Sequence, residues 1–171
     1  MDGSNLYHGG KRANVRIDVP KLAEALIGDR EQVRTYYYVA AVPQEMDKEG
    51  AKAQQQFLNR LHSTPYLDVR LGRMEKRSSG WEEKGVDARL ASDMVFMAAR
   101  DLYDVAVLVS GDGDLAFAAQ AVKDLGKHVE NAYFKKGRSQ HLIKSCDSFI
   151  ELKSENFADC LKLEQRLAVA S

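Results

Sequence analysis

The sequence predicts an α/β fold built on a mostly parallel sheet. β-rich runs alternate with helical patterns, the order expected of parallel strands joined by crossover helices. One run, DVAVLVS at 104–110, is continuously apolar, as a strand covered by helices on both faces should be. That run ends in a glycine-rich acidic turn, and strand ends of this kind are where open α/β sheets gather ligand groups.

The elements follow in order. MDGSN holds Asp2 and Asn5 in a turn bounded by Gly3. DVPKLAEALIG at 18–28 reads as a short helix, with Asp18 as cap, Pro20 in the first turn and Gly28 at the stop. EQVRTYYYVAAV at 31–42 is rich in residues that favour a pleated surface, so Tyr36, Tyr37 and Tyr38 are expected in a buried strand. DKEGAKAQQQFLNRLHS at 47–63 reads as a helix and YLDVRLGRM at 66–74 as the next strand. EKRSSGWEEKG at 75–85 is polar and glycine-bounded, so a loop is expected. VDARLASDMVFMAARDLY at 86–103 is an amphipathic helix with Leu90, Met94, Met97 and Ala98 at helical spacing. After the 104–110 strand come a helix at 114–126, a strand at 127–134, a short helix at 139–146 and an extended run at 148–153. ENFADCLKLEQRLAVA reads as a terminal helix. A strand is expected before DGSN, yet only Met1 precedes it, so the first strand reads as truncated, with a β-branched or aliphatic run expected upstream.

At 171 residues the chain is expected to form one domain, with a motif-bearing core over 1–152 and a C-terminal helix over 153–171. Lys and Arg number 25 and Asp and Glu 25, so any basic footprint for nucleic acid must be local. Hydrophobic residues make up 44%, which fits a folded chain. Cys146 and Cys160 have no zinc spacing and read as free thiols of a reducing compartment. No apolar run approaches the roughly 18 residues of a membrane span, and the N-terminus lacks the pattern of a signal peptide. A cytoplasmic protein without a membrane partner is expected.

The chemistry lies in the acids. LVSGDGDL places Asp112 and Asp114 at the carboxyl end of a strand, where two adjacent carboxylates repel unless a cation or a raised pKa relieves them. Hard oxygen ligands suit Mg²⁺ or Mn²⁺. The alternative is that both residues only shape the turn and cap the helix. Asp2 carries the same logic at the first strand end, with Asn5 beside it. Asp87 opens the long helix and Asp93 follows six residues later, pointing elsewhere on an ideal helix. Asp87 alternatively serves as an N-cap and Asp93 as part of a solvated face. There is no nucleophile elbow, P-loop or dinucleotide fingerprint.

MDGSNLYHG, EKGVDARLASDM, YDVAVLVSGDGDLAFAAQAVKDLGKHVE and LIKSCDSFIEL, in this order, resemble the NYN domain, and more narrowly its LabA-like branch within the PIN-like nuclease superfamily. The resemblance runs from Asp2 to about Leu152. It implies a Rossmann-like, three-layer α/β/α sandwich with acids gathered at the strand ends, and a metal-dependent ribonuclease activity. By motif, Asp2, Asp87, Asp112 and Asp114 match the catalytic acids. The same residues, with Asp93, match the Mg²⁺ or Mn²⁺ ligands.

Single-stranded RNA is the expected partner, and a homodimer is a further expectation. Between 123 and 144, Lys123, Lys127, Lys135, Lys136, Arg138 and Lys144 outnumber Asp124 and Glu130 by four. Arg70, Arg73, Lys76, Arg77 and Lys84 form a second basic stretch, with Trp81 available for stacking. Asn5, Ser110, Lys84, Lys135, Lys136 and Arg138 are the candidate substrate-binding residues; a solvated surface is the alternative for the basic ones. Two other readings compete with the nuclease. One is a regulatory domain of the same fold that binds RNA or protein. The other is a phosphatase of the haloacid dehalogenase type, weakened because Asp2 is followed by Gly3 and Ser4 rather than by a second acid.

Overall fold

The structure is a computed structural model that describes residues 1–163. The element order is α1 (Gly3–Ala13), β1 (Val15–Ile17), α2 (Val19–Ile27), β2 (Thr35–Ala41), α3 (Lys48–His62), β3 (Leu67–Arg77), β4 (Gly80–Lys84), α4 (Val86–Ala99), β5 (Val105–Val109), α5 (Ala116–Asp124), β6 (His128–Tyr133), α6 (Gln140–Ser145), β7 (Ser148–Glu151) and β8 (Leu161–Leu163). A 3₁₀ turn, Gly113–Leu115, leads into α5.

β2 and β3 run parallel, with Thr35 opposite Leu67, and β4 returns antiparallel along β3. β5, β6 and β7 form a second, all-parallel set. Between the two sets lies the start of the chain. Met1 N donates to Tyr36 O at 2.8 Å, Tyr38 N to Met1 O at 2.9 Å, and Asp2 N to Val109 O at 2.9 Å. Met1 and Asp2 thus hold the slot between β2 and β5, at a parallel bridge from Asp2 to Tyr38.

Strand residues alternate between two apolar clusters, as the two-residue period of a strand requires. Tyr37, Val109 and Ala132 face a cluster with Leu6 of α1, Leu22 of α2 and Leu61 of α3. Tyr38, Leu108 and Val129 face a cluster with Leu90 and Met94 of α4, Val122 of α5 and Leu142 of α6. The helix signals act as the sequence implies. Asp18 caps α2, Pro20 sits in its first turn and Gly28 ends it; Asp47 caps α3 by accepting from Gly50 N at 2.9 Å.

Three segments differ from the sequence reading. The polar stretch 75–85 is a hairpin rather than a loop. Its charges pair along the ribbon, Arg73 and Arg77 with Glu75 and Lys84 with Glu82, so polarity here marks a solvated two-stranded arm. The terminal helix is also corrected: residues 154–160 form turns, and β8 pairs antiparallel with β1, Val15 opposite Leu163. Cys160 and Leu161 are buried in the first cluster, which fixes that segment by packing rather than by its helical spacing. Residues 164–171 of the expected helix lie outside the described residues. Finally, 3–13 forms a helix through Gly9 and Gly10, both poor helix formers. Contact explains Gly9: a Cβ there would stand 2.3 Å from the Phe134 ring.

Helix propensity alone would have Gly9→Ala stabilise α1 by about 1 kcal/mol. The close approach reverses the sign. We expect Gly9→Ala to lower stability by about 1–3 kcal/mol through overpacking, read as a lower urea midpoint at unchanged slope.

Candidate acidic cleft

The seam between the two strand sets places the first acid. Asp2 is 1% exposed, and its carboxylate is held from several sides. Asn5 N donates to Asp2 Oδ1 at 3.0 Å, Asn5 Nδ2 to Oδ2 at 2.6 Å, and the Ser110 hydroxyl to Oδ2 at 2.8 Å. A buried charge demands such donors. The same bond from Asn5 N makes Asp2 the N-cap of α1.

Ser110 links the first acid to the second motif. Its Oγ accepts from Asp112 N at 3.0 Å, and Gly111 N donates to Asn5 Oδ1 at 3.1 Å. Asn131 of β6, which sequence reasoning missed, donates to Leu108 O at 3.0 Å and Ser110 O at 2.9 Å, fixing the end of β5. Asp112 accepts from Asp114 N at 3.0 Å and caps the 3₁₀ turn. Capping and gathering therefore coexist at both Asp2 and Asp112.

Asp87 lies in the first turn of α4, whose N-cap is Gly85, so Asp87 is not itself the cap. Loss of hydration, then the charges of Asp2, Asp112 and Asp114, push its carboxyl from an ordinary 3.8 up to about 6. Burial, then Asp2 and Asp87, also raise Glu83, against a smaller opposing effect from the Ala40 backbone. Glu83 is a fifth acid of the cleft. It sits on β4, inside the stretch read as a loop, and that misreading hid it.

Asp93 is placed differently. It takes Arg70 Nη1 at 2.7 Å, the Tyr38 hydroxyl at 3.1 Å and Arg89 Nε at 3.8 Å, and it is not among the acids that act on Asp87. The structure engages it in a half-buried ion-pair network in which Arg70 answers its charge. Arg70 in turn stacks on Tyr36, 4.5 Å from the ring centre.

The basic candidates divide. Lys84 pairs with Glu82 at 2.7 Å, and Lys76 lies over Trp81 at 5.9 Å, so the hairpin largely neutralises itself. Lys135, Lys136 and Arg138 are exposed and have no acidic partner among the described residues. Their loop lies against the acidic turn: a Cβ on Gly111 would stand 2.2 Å from Gly137 O. Only glycine permits that approach. Arg12, from the end of α1, reaches the same loop and was not foreseen; its guanidinium lies where a Cβ on Gly137 would be, 2.7 Å away.

Whether a divalent cation fits can be judged from these residues. Every influence on Asp87 raises its pKa, and among the described residues no cationic side chain pairs with Asp87, Asp112 or Asp114. Among the described residues, no three His, Cys, Asp or Glu side chains stand as one closed ligand group. Mg²⁺ does not need one: it keeps several waters and binds through one or two carboxylates plus substrate phosphates. The donor set fits an open, water-rich site of that kind.

An α/β fold with acids from distant segments sharing one strand-end field is the design of a PIN-like, nuclease-type domain. The chain belongs to the NYN domain family, which matches residues 1–154. Among solved structures it is similar to a protein of unknown function from Vibrio parahaemolyticus, with a TM-score of 0.71 and 22% identity, covering 92% of this chain and 90% of that one. That likeness concerns the fold. No curated protein matches the chain.

The raised Asp87 has a thermodynamic consequence. Its folded pKa exceeds the unfolded value, so between about pH 4 and 6 the folded state holds more protons, and Asp87 costs stability as pH rises through that window. We expect Asp87→Asn to remove this part of the pH dependence. At pH 7 the gain after solvent screening is about 0.5 kcal/mol, or ~1–2 °C in melting temperature. At pH 3.5 the two proteins should melt together, as circular dichroism will show.

Proposed function

We propose that this NYN domain hydrolyses RNA phosphodiester bonds in a Mg²⁺- or Mn²⁺-dependent reaction at the cleft of Asp2, Asp87, Asp112 and Asp114. The observation that carries the reading is the joining of the Asp2 and Asp112 segments through Ser110 and Asn5, beside Asp87, whose carboxyl is pushed up by burial and then by the charges of Asp2, Asp112 and Asp114. Uncompensated negative charge of that kind is relieved by a cation. NYN and PIN-like nucleases generally use divalent metals.

In this reading Asp87, Asp112 and Asp114 would hold the metal, whose chemistry there would be to lower the pKa of a water and to neutralise phosphate charge. Asp2 has both oxygens engaged by Asn5 and Ser110, so it adds charge and fixes the end of β5. Asn5 and Ser110 act on substrate through that network. Burial and then the neighbouring acids raise the Asp87 carboxyl in the metal-free chain, and a bound cation would bring it back to the charged form that ligates. Lys135, Lys136 and Arg138 draw the RNA backbone to a cleft that would otherwise repel it. Finer assignments belong to the same proposal: the LabA-like branch, a single three-layer domain, and single-stranded RNA met in the cytoplasm.

A regulatory reading draws on the capping bonds of Asp2 and Asp112, which give both residues work without catalysis. Asp112→Asn separates the two. Asparagine caps as well as aspartate, so the fold is kept while a metal-binding charge is lost. We expect Mg²⁺- or Mn²⁺-dependent cleavage of a single-stranded oligoribonucleotide, abolished by EDTA and lowered about a hundredfold or more by Asp112→Asn. Binding without cleavage in either metal would favour the regulatory domain.

A further inference from the structure

Phe117 is 76% exposed, the most exposed of the large apolar side chains described. It stands in the first turn of α5, three residues beyond Asp114 of the 3₁₀ turn that leads into that helix. Its ring meets His141 edge to face, with centroids 5.6 Å apart and planes at 84°. His141 belongs to the first turn of α6, whose cap is Ser139. Ser139 Oγ lies 2.7 Å from where a Cβ on Gly113 would be, which seats the start of α6 directly on the acidic turn. Arg138 immediately precedes that cap, and Lys135 and Lys136 lie on the same loop.

An aromatic face this open contributes little to the core and pays for its hydration. The loop that ends in the α6 cap carries cations unanswered by acids among the described residues, and that cap lies against the acidic turn. Aromatic faces flanked by cations are what a single-stranded nucleic acid requires, because bases stack while phosphates are neutralised. A duplex hides its base faces and gains nothing from such a surface.

We propose that Phe117, braced edge to face by His141, is a base-stacking platform that seats an unpaired nucleotide next to the acidic cleft. This rests on the proposed RNA-directed activity and adds to it a positioning site that selects unpaired strands. Trp81, the aromatic singled out from sequence, is instead taken up by Lys76 on the hairpin.

The test uses a short fluorescein-labelled oligouridylate and a labelled RNA duplex, with anisotropy read in EDTA so that neither is cut. Phe117→Ala should weaken binding of the single strand about five- to a hundredfold. Phe117→Tyr should restore it, duplex binding should not change, and the melting temperature should stay at the wild-type value. Phe117→Trp adds a contact readout: its extra fluorescence over wild type should be quenched by the oligouridylate. Equal binding by Phe117→Ala, with wild type still binding and cutting RNA, overturns the platform and leaves the proposed activity standing. Equal weakening of duplex binding, or a change in self-association in place of RNA affinity, also overturns it. A wild-type protein that neither binds nor cuts RNA overturns both proposals.

Discussion

The fold and the cleft depend on the same two residues at the seam between the parallel strand sets. Met1 and Asp2 bond to Tyr36 and Tyr38 on one side and to Val109 on the other. Without that bridge β2 and β5 would face each other with unpaired backbone groups, a costly condition inside a core. The seam also fixes side chains. Placing Asp2 there buries a carboxylate, and burial demands donors, which Asn5 and Ser110 supply. Ser110 must then be held, and Asn131 holds its carbonyl. A backbone constraint thus dictates several polar identities on β5, β6 and α1.

Electrostatically the molecule works by local separation. The hairpin of β3 and β4 cancels its own charges, and Asp93 cancels against Arg70. The acids around Asp87 and the cations of the loop at 135–138 have no such pairing among the described residues. The contact of Gly111 with Gly137 keeps these groups adjacent. Backbone contact at this distance leaves no room for a side chain, so the acidic turn and the basic loop keep their spacing through packing rather than through an ion pair that substrate would have to break.

How far the sequence could be read follows from the same physics. Asp112 and Asp114 were legible because an unbroken apolar run ends in them, and Asp87 because it opens an amphipathic helix. Glu83 was not, because its strand is short and polar, GWEEK, and carries no alternation of apolar residues. The pairing of Asp93 with Arg70 joins residues 23 apart in the chain, a contact that spacing cannot reveal. The helix over 3–13 was hidden by Gly9, whose reason is the ring of Phe134. At the other end, the helical spacing of 155–163 lost to pairing with β1, a choice made by tertiary packing.

Ser110 and Asp2 are 108 residues apart, and their bond exists only when both strand sets have met. Contacts of such long range close late, because the loop entropy must be overcome first. A chain still emerging during synthesis can form α1, α2, β2 and β3, but it lacks the acids on the far side of the seam. The cleft is therefore a product of completed folding. If the domain cuts RNA, the ribosome that makes it and the message being read are not exposed to an assembled site until β5 has docked.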